Sequence, residues 1–442
     1  MYQDTIAAIA TPQGLSSVGI IRISGSEAID VIDKVFTKPL KNVASHTINY
    51  GHIVDSDNNI IDEVLVMLMK APKTYTREDV VEINCHGGSV VLNKVLLEVV
   101  KNGARIAENG EFTKRAFLNG RIDLAQVEAV MDIIEARTEL ALNQAIGQLD
   151  GKLSAYINNF QQTLLGIIAR IEVSIDYPEY ESELDNEVKE DIVILNDKLK
   201  QLLSSADTGK MIKEGVKTAI VGVPNAGKSS LLNALLEEDK AIVTDIAGTT
   251  RDVVEASINI GGAQFVLWDT AGICETTDTV EQIGIKKAKE CIEVADLILL
   301  VLDGSRELYD IETELIDSLL NKNNVIYVTN KSDLNIKVVL ENSIGVSAKN
   351  KIGLDELKQI MVEKSIGFQV LDGGISNQRQ KESLAKAINS LDKVLVSIYN
   401  NMPEDCWAID LHDAYGYLGM IIGESLKEEI LDGLFSRFCL GK

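Results

Sequence analysis

The sequence has 442 residues, of which 45% are apolar and 25% are charged, as in ordinary globular proteins. Because a single hydrophobic core rarely serves so long a chain, this length favours two or three domains. The net charge of −24 excludes a general polyanion-binding surface, so any contact with nucleic acid needs a local basic patch or a partner protein.

Short apolar runs alternate with Gly, Pro and Asn in residues 1–116, which predicts an α+β domain. Apolar residues then recur at helical spacing over 117–212, although residues 204–209 are typical of a linker. Strands alternate with helices over 213–371, as in a doubly wound parallel sheet, and a helical pattern returns over 372–442. The predicted fold class is therefore multidomain, with an α/β P-loop domain inserted into an all-α domain.

Location is indicated by what the sequence lacks. Five cysteines are scattered without a Cys-x-x-Cys pair, which is typical of a protein in a reducing compartment. The N-terminus has no signal-peptide pattern, and the most apolar run has the length of a buried strand. We expect a cytoplasmic protein without a membrane span.

Residues 222–229 read Gly-x4-Gly-Lys-Ser between a β-branched strand and a helix, as in a phosphate-binding loop. Gly222 and Gly227 let backbone N–H groups approach phosphate oxygens at the positive end of the helix. Lys228 is expected on the β- and γ-phosphates, and the Ser229 hydroxyl on Mg²⁺. The expected nucleotide contacts in this loop are Asn225, Ala226, Gly227, Lys228, Ser229 and Ser230.

Three further GTPase elements follow in the expected order, so the sequence predicts GTP binding. Asp269 ends an apolar strand and is expected to hold Mg²⁺ through water, while the Gly272 amide senses the γ-phosphate. Asp333 can accept two N–H bonds that guanine donates and adenine does not. The expected contacts are Asp269, Thr270, Ala271 and Gly272, then Asn330, Lys331 and Asp333, and finally Ser347, Ala348 and Lys349.

The hydrolytic machinery departs from the Ras type. Ile273 stands where Ras-type enzymes place a water-orienting glutamine, and the sequence reveals no arginine finger. The Asn225 side-chain oxygen is a candidate ligand for a monovalent cation, the alternative being an asparagine that only shapes the loop. The cation ligands would be Asn225, Thr244, Ile246 and Thr249, with Thr250 on Mg²⁺. The surrounding nucleotide-binding segment comprises Thr244, Asp245, Ile246, Ala247, Gly248, Thr249 and Thr250.

With Gly-Thr-Thr-Arg-Asp at 248–252, these features resemble the potassium-activated branch of the TrmE-Era-EngA GTPases. The last residues, Phe438-Cys439-Leu440-Gly441-Lys442, are similar to the Cys-x-Gly-Lys motif of the MnmE (TrmE) family of tRNA-modification GTPases. N-terminal motifs of that family match residues 4–8, 19–25, 78–82, 86–88 and 110–119. The resemblance covers essentially the whole chain.

This resemblance implies a homodimer whose N-terminal domain (1–116) binds a 5-formyl- or 5,10-methylene-tetrahydrofolate and whose G domains pair on GTP and K⁺. It also implies a flavoprotein partner, MnmG (GidA). The two proteins would add an aminomethyl or carboxymethylaminomethyl group to carbon 5 of the wobble uridine of certain tRNAs. By motif position, the implied folate contacts are Arg22, Glu82, Arg121 and Lys442. Arg121 replaces the usual Lys, which keeps the charge but changes the geometry.

Two residues are implied in catalysis. Glu281 matches the family's switch II glutamate, which orients the attacking water; from the residues alone it is a polar residue in a charged loop. Cys439, with a cation three residues later, is either an activated nucleophile or a packed thiol, and the resemblance favours modification chemistry. His86, in Cys-His-Gly-Gly, is predicted to be a hydrogen-bonded turn histidine, the alternative being a catalytic residue.

Two other functions stay open. One is a non-catalytic GTPase switch in ribosome assembly, which predicts basic RNA-binding modules that this acidic sequence does not offer. The other is a folate-dependent one-carbon transferase acting on a small metabolite, with GTP only regulatory. Folate binding by residues 1–116 separates the switch from the other two functions, and analysis of wobble uridines separates those two from each other.

Overall fold

The computed structural model describes residues 4–12, 14–176, 181–238, 255–269, 291–338, 340–367, 372–424 and 428–442. These residues form two compact units, a first unit of residues 1–131 and 422–442 and a second unit of residues 132–421. Among the residues described, no helix combines the length and the apolarity that crossing a membrane requires.

The strands are β1 (Thr5–Ile9), β2 (Val18–Ser24), β3 (Thr47–Val54), β4 (Ile60–Met69), β5 (Val80–His86), β6 (Ala104–Ile106), β7 (Val216–Val221), β8 (Glu255–Ile260), β9 (Ala263–Asp269), β10 (Leu297–Asp303), β11 (Val325–Asn330) and β12 (Ser343–Val346). The helices with described bounds are α1 (Ala28–Val35), α2 (Ser89–Lys101), α3 (Glu111–Leu118), α4 (Leu124–Glu135), α5 (Glu139–Leu149), α6 (Lys152–Asp176), α7 (Glu181–Glu214), α8 (Lys228–Glu238), α9 (Asp310–Leu319), α10 (Leu354–Ser365), α11 (Gln378–Tyr399), α12 (Glu404–Ile422) and α13 (Glu428–Phe435).

The first unit is built on a six-stranded sheet of order β3-β4-β5-β2-β1-β6. Its neighbouring strands are antiparallel except β1 and β6, which run parallel. Burial alternates along β4, as expected when one face of a sheet is covered. Helices α1 and α2 cover that face, and side chains such as Val31, Val95 and Ile83 share the resulting core.

The first unit also includes residues from both ends of the sequence. Phe435, at the end of α13, and Phe438 pack with Ala116 of α3 and Leu124 of α4 in one buried cluster. This cluster brings the last residues of the chain onto the N-terminal part of the unit. The unit is therefore closed by a segment that follows its N-terminal part only after the 290 residues 132–421.

The second unit contains a helical part (α5, α6, α7, α11 and most of α12) and a second six-stranded sheet of order β12-β11-β10-β7-β9-β8. Every neighbouring pair in this sheet is parallel except β8 and β9. Strand β10 is buried along its whole length, which explains its uninterrupted apolar sequence. The predicted multidomain fold class is confirmed.

The predicted linker at 204–209 is wrong, because these residues lie inside α7. The Ser204 and Ser205 hydroxyls donate to the carbonyls of Gln201 and Leu202, at 2.7 Å each, so they do not interrupt the helix. Gly209 is present for space: a Cβ there would lie 2.0 Å from the Ile375 carbonyl oxygen. What looked like a flexible composition is therefore a site of close packing.

The chain returns from the α/β part to the helical part between α5 and α7. On the α5 side, Gln148 is fully buried and donates its side-chain amide to the Gly374 carbonyl. Gly147 beside it makes room, since a Cβ there would lie 2.4 Å from an Asp372 carboxylate oxygen. Two glycines on facing helices thus let the segment 372–376 pass between them.

Candidate functional site

The phosphate loop leaves the sheet between β7 and α8, as predicted. Gly222 passes so close to β10 that a Cβ would lie 2.3 Å from the Val301 carbonyl oxygen. Gly227 has φ +97, and a Cβ there would lie 2.1 Å from Asn330 Nδ2. Asn225 adopts a left-handed conformation with φ +64, which asparagine tolerates better than most residues. The two glycines are therefore required by close contacts with the β10 backbone and with the Asn330 side chain.

The Asn330 side chain joins the phosphate loop to the loop after β12. Its Nδ2 donates to the Ala226 carbonyl at 3.0 Å, and its Oδ1 accepts from the Ala348 amide at 3.1 Å. The residue is 2% exposed, so both bonds are sheltered from water. Three predicted nucleotide motifs are thus connected through one buried amide.

Lys228 lies over the phosphate loop itself. Its Nζ donates to the Gly222 carbonyl at 2.9 Å and to the Val223 carbonyl at 3.0 Å. The ammonium group therefore already sits among the loop residues at the N-terminus of α8, where an anion is stabilised. Ser229 and Ser230 follow in the first turn of α8 and are exposed.

The predicted base-recognition residues meet at the ends of β11 and β12. Asp333 Oδ1 accepts from the Ser347 hydroxyl at 2.6 Å. This hydrogen bond lowers the pKa of Asp333, so its carboxylate stays ionised and able to accept hydrogen bonds. Ser347 is buried, and its amide donates to the Ile352 carbonyl at 3.0 Å, while Lys349 is exposed.

Sequence reasoning missed Asp303, which ends β10 and forms an ion pair with Lys331. Asp303 is 6% exposed, and it accepts from the Ser305 amide at 3.0 Å and from the Ser305 hydroxyl at 2.6 Å. Burial alone would raise its pKa, but the hydrogen bonds from Lys331 and Ser305 outweigh burial and lower it. Asp303 could have been predicted from the sequence, because it ends an apolar strand of the predicted parallel sheet, and ligands bind at the carboxyl ends of such strands.

A second cluster of predicted residues lies in the first unit, on neighbouring strands β2 and β5. Arg22 and Glu82 are directly opposite each other in the antiparallel register, and Arg22 Nε lies 2.8 Å from Glu82 Oε1. Arg22 Nη1 donates to the Gly441 carbonyl at 3.2 Å. Residues from three distant parts of the sequence therefore share one charged cluster.

Two aromatic rings line this cluster, and sequence reasoning missed both. The Arg22 guanidinium carbon lies 5.6 Å from the Tyr75 ring centroid and 5.7 Å from that of Phe112. Arg121 approaches the same Tyr75 ring, at 4.9 Å. The Tyr75 hydroxyl is 2.9 Å from the Thr113 hydroxyl. The structure thus brings Arg22, Arg121 and Tyr75 together, with Glu82 bound to Arg22. Tyr75 could have been predicted from the sequence, because it lies just before the motif at 78–82.

A buried ion-pair network supports this region. Arg115 is fully buried, and its Nη2 lies 2.8 Å from an Asp4 carboxylate oxygen and 3.0 Å from Glu111 Oε1. Its Nη1 lies 3.2 Å from Glu78 Oε1. Burial would raise the pKa of Glu111, but hydrogen bonds from Arg105, from the Glu108 amide and from Arg115 outweigh burial and lower it.

Two family models match the sequence. The model described as GTP-binding protein TrmE N-terminus matches residues 5–121, and the model described as MnmE helical domain matches residues 124–439. The tRNA modification GTPase MnmE of Enterococcus faecalis is 48% identical over 460 residues, which cover 100% of this chain and 99% of that protein. The chain belongs to the MnmE family.

A second MnmE relative, from Geobacillus kaustophilus, is 46% identical over 459 residues, which cover 99% of each chain. Among solved structures, Era of Aquifex aeolicus bound to GDP and AlF4⁻ is 28% identical. That match covers 40% of this chain and 66% of the Era chain, with a TM-score of 0.28, which is too low to support an inference.

Several residues predicted from the GTPase motifs, and one predicted from the family resemblance, fall outside the part of the chain that the structure describes. For Asp269 the backbone is described, at the end of β9 and in register with Ile220 of β7, but the side chain is not. The predicted residues outside the described ranges are Thr244, Asp245, Ile246, Ala247, Gly248, Thr249, Thr250, Thr270, Ala271, Gly272 and Glu281.

The MnmE-type Cys-x-Gly-Lys motif is described completely. Cys439 is exposed, and the Lys442 amide donates to its carbonyl at 3.3 Å. Cys85, in contrast, is buried, and burial together with the charge of Asp62 raises the pKa of its thiol to about 12. The two thiols therefore differ in their access to reagents. The hydrogen bond predicted for His86 is present, with Nδ1 2.7 Å from Asp62 Oδ1, but the residue ends strand β5 and does not lie in a turn.

Proposed function

We propose that this chain is a GTP-hydrolysing tRNA-modification enzyme that acts in the cytoplasm. With the flavoprotein MnmG as partner, it adds an aminomethyl or carboxymethylaminomethyl group to carbon 5 of the wobble uridine of certain tRNAs. Membership of the MnmE family over the full length of the chain supports this proposal, because its relatives carry the name tRNA modification GTPase. We also propose three domains: an N-terminal domain of residues 1–116, a GTPase domain of residues 213–371, and a helical domain formed by residues 117–212 and 372–442.

The observation that carries the nucleotide half is the pair of hydrogen bonds made by the Asn330 side chain. A buried amide that bonds both Ala226 and Ala348 keeps the phosphate side and the base side of a site in fixed register. Fixing a site before its ligand arrives reduces the entropy lost on binding. The ionised Asp333 carboxylate is then ready to accept the two N–H groups of guanine.

Within this site, Lys228 and the loop amides would bind the phosphates, and Ser229, Thr250 and Asp269 would hold Mg²⁺, which would neutralise phosphate charge. Asn225, Thr244, Ile246 and Thr249 would supply oxygen ligands to K⁺, and its positive charge would do the work of an arginine finger. Glu281 orients the attacking water. The other proposed nucleotide contacts are the residues predicted from the phosphate loop and the three further GTPase elements.

The cluster around Arg22 fits a reduced folate in its chemistry. A pterin edge presents paired N–H donors, which suit the Glu82 carboxylate, and its flat ring suits the Tyr75 and Phe112 rings. The glutamate tail of a folate is anionic, which suits Arg121 and Lys442, whereas Arg22, in contact with Glu82, would serve the pterin end. A bound 5-formyl- or 5,10-methylene-tetrahydrofolate would supply the one-carbon unit, and Cys439 would take part in the modification chemistry.

The outer face of the first unit's sheet supports the proposed homodimer. Ile48 and Tyr50 of β3 and Leu65 of β4 are 64%, 52% and 46% exposed, and Tyr50 lies directly opposite Leu65. Neighbouring apolar side chains on an uncovered sheet face are typical of an interface. We propose that two copies of the chain pair through this unit and that their GTPase domains pair on GTP and K⁺.

The first test is GTP hydrolysis in K⁺ against Na⁺ at equal ionic strength, for the wild type and for Asn225→Ala. We expect strong stimulation by K⁺ that the variant loses, because the side-chain oxygen of Asn225 is a cation ligand in the proposal. Equal rates in the two salts would leave GTP binding intact but would contradict the cation-assisted mechanism and return attention to a ribosome-assembly switch.

The modification half is tested by complementation of a strain that lacks the chromosomal copy. Cys439→Ser is expected to keep GTP hydrolysis while the modified wobble nucleosides disappear from bulk tRNA. Glu281→Ala is expected to bind GTP with unchanged affinity and to lose turnover. Normal wobble nucleosides in the first variant, or normal turnover in the second, would remove that residue from the mechanism.

A further inference from the structure

The last residues of the sequence, 438–442, are held on the first unit at two points. At the first point, Phe438 is 3% exposed and packs in the cluster that also contains Phe435 and Ala116. Gly110 makes this packing possible: with φ +68, a Cβ there would lie 2.7 Å from the Phe435 carbonyl oxygen and 2.9 Å from Phe438 Cβ. A glycine at the start of α3 is therefore part of the seat for this segment.

The second point is Gly441, which is buried against β1. Its φ is +92, and a Cβ would lie 2.5 Å from the Ile9 carbonyl oxygen and 2.8 Å from Ala10 Cα. Both are backbone atoms of a paired strand or of the residue that follows it, so neither can move aside as a flexible side chain would. Conformation and space thus both require glycine at this position.

The Gly441 contact reaches the charged cluster directly. Its carbonyl accepts from Arg22 Nη1 at 3.2 Å, while Arg22 Nε is held by Glu82 at 2.8 Å. Arg22 is 21% exposed at its side chain, so a large part of its guanidinium is enclosed by these partners. The orientation of Arg22 is consequently set by two partners, the Glu82 carboxylate at Nε and the Gly441 carbonyl at Nη1.

Cys439 lies between the two points. Two Cα–Cα steps separate it from Gly441, which places the two Cα atoms within about 7.6 Å of each other. The backbone is fixed on both sides of Cys439, and the Lys442 amide closes a turn onto its carbonyl at 3.3 Å. The exposed thiol therefore keeps little freedom beyond rotation about its own Cα–Cβ bond.

We propose that Gly441 is a positioning residue for the site in the first unit. By letting the segment lie against β1, it orients Arg22 for the ligand and keeps Cys439 two residues away from the contact with Arg22. The inference rests on the proposed binding of a reduced folate by this unit. It assigns the third residue of the Cys-x-Gly-Lys sequence a physical task, which is to allow a close approach that no other residue permits.

The test compares Gly441→Ala with the wild type in the full-length protein, using 5-formyltetrahydrofolate as the probe. The added methyl group is expected to displace the segment, so the Kd measured by calorimetry should rise about tenfold, as expected for losing a hydrogen bond to a charged group. Leu440→Ala is the matched control. Leu440 is 46% exposed, so its truncation should leave the Kd unchanged.

A second readout separates positioning from affinity. In the wild type, saturating folate should slow alkylation of Cys439 by iodoacetamide, measured by peptide mass spectrometry, because Cys439 is only two residues from the contact between Gly441 and Arg22. In Gly441→Ala this protection should be lost even when the folate concentration is raised to saturate the variant. Because GTP hydrolysis resides in the second unit, the folding check for the first unit is far-UV circular dichroism together with a cooperative thermal unfolding transition, which both variants should retain.

The outcomes distinguish the two proposals. If the wild type binds no folate, the proposed function of the first unit fails and the inference fails with it. If the wild type binds folate and Gly441→Ala binds it equally with full protection of Cys439, only the inference is overturned. If Gly441→Ala does not fold, Leu440→Gly replaces it as the test variant. This change makes the backbone beside Gly441 more flexible without adding atoms that could clash. Its Kd should rise about threefold, and an unchanged Kd would overturn the inference.

Discussion

The Lys331 ammonium lies 2.6 Å from the Asp303 carboxylate, so the base-recognition loop is tied to the end of the central strand β10. Lys331 has a left-handed backbone, with φ +65, and its long side chain would otherwise have many rotamers. A buried, ionised carboxylate reduces that freedom before a nucleotide arrives. The ion pair therefore holds the lysine of the base-recognition motif in place.

Asp303→Asn is expected to raise the Kd for GDP about tenfold, because a charge-assisted hydrogen bond contributes roughly 1.5–3 kcal/mol. The turnover number at saturating GTP should change little, since Lys331 belongs to the base-recognition motif and not to the phosphate loop. Fluorescent GDP titration and steady-state hydrolysis measure the two quantities. Asp317→Asn, on an exposed position of α9, is the control for removing one negative charge. A GDP affinity equal to that of the wild type would exclude a role for Asp303 in holding Lys331.

Asp333→Asn is expected to exchange the base preference from guanine to xanthine. The carboxylate accepts two N–H groups of guanine, whereas an amide can donate to the extra carbonyl of xanthine. Because Asp333 is exposed, we expect a change of roughly 10²-fold in relative affinity, below the roughly 10⁴-fold seen for fully buried polar contacts. Competition of GTP and XTP for the site measures it. Tight XTP binding would itself show that the variant is folded, and a retained preference for GTP would contradict the assignment.

Two glycines within long helices are expected to respond to alanine in opposite directions. Gly209→Ala places a Cβ 2.0 Å from the Ile375 carbonyl oxygen, so we expect a loss of about 1–3 kcal/mol in the free energy of unfolding. Gly166→Ala, in α6, meets nothing within 4 Å and should gain roughly 0.5–1 kcal/mol. Thermal unfolding of the two variants side by side checks the prediction. A more stable Gly209→Ala would show that the return segment 372–376 is not packed as described.

The first unit should lose stability in acid. The pKa values of Asp4 and Glu111 lie below their ordinary values of 3.8 and 4.5, because hydrogen bonds and charges from Arg105 and Arg115 outweigh burial. Groups with a lowered folded-state pKa stabilise the fold above their ordinary pKa. That stabilisation disappears as the pH falls through the lowered values. Hydrogen exchange of β1 and α3 amides at a series of pH values from 7 to 3 should show protection decreasing below about pH 4.5.

Glu111→Gln provides the matched variant for that experiment. Removing one partner from the buried Arg115 should cost about 3 kcal/mol at pH 7, because a buried charge is left less well compensated. The variant should also show a weaker dependence on pH below 4.5, since one titrating group is gone. A pH profile identical to that of the wild type would remove Glu111 as a source of acid sensitivity.

Local patterns predicted much of the fold. Strands β1, β2, β4 and β5 follow runs of apolar residues, and the phosphate loop follows its spacing of glycines and lysine, because both depend on neighbours in sequence. The error at 204–209 came from treating Ser and Gly as signs of flexibility. The reason for Gly209 is the carbonyl of Ile375, a contact that no local pattern contains.

The same limit applies to the sites. Arg22, Glu82 and Lys331 were found through motifs, but Tyr75, Phe112 and Asp303 were not, since their roles arise from contacts across the sheet or between strand ends. Motif position indicates which residues serve a ligand. The packing around them becomes visible only when distant segments are brought together.

Because the first unit is completed by residues 422–442, it cannot reach its final state while the ribosome is still synthesising the second unit. The sheet formed by residues 5–106 leaves the exit tunnel early, but it can be completed only after Phe438 and Gly441 have been synthesised. A chain that terminates early would therefore lack both the exposed Cys439 thiol and the hydrogen bond between Arg22 and the Gly441 carbonyl. In such incomplete chains the apolar side chains of Ala116 and Leu124 would be exposed, because Phe435 and Phe438 are missing. Protein quality control could recognise that exposed apolar surface.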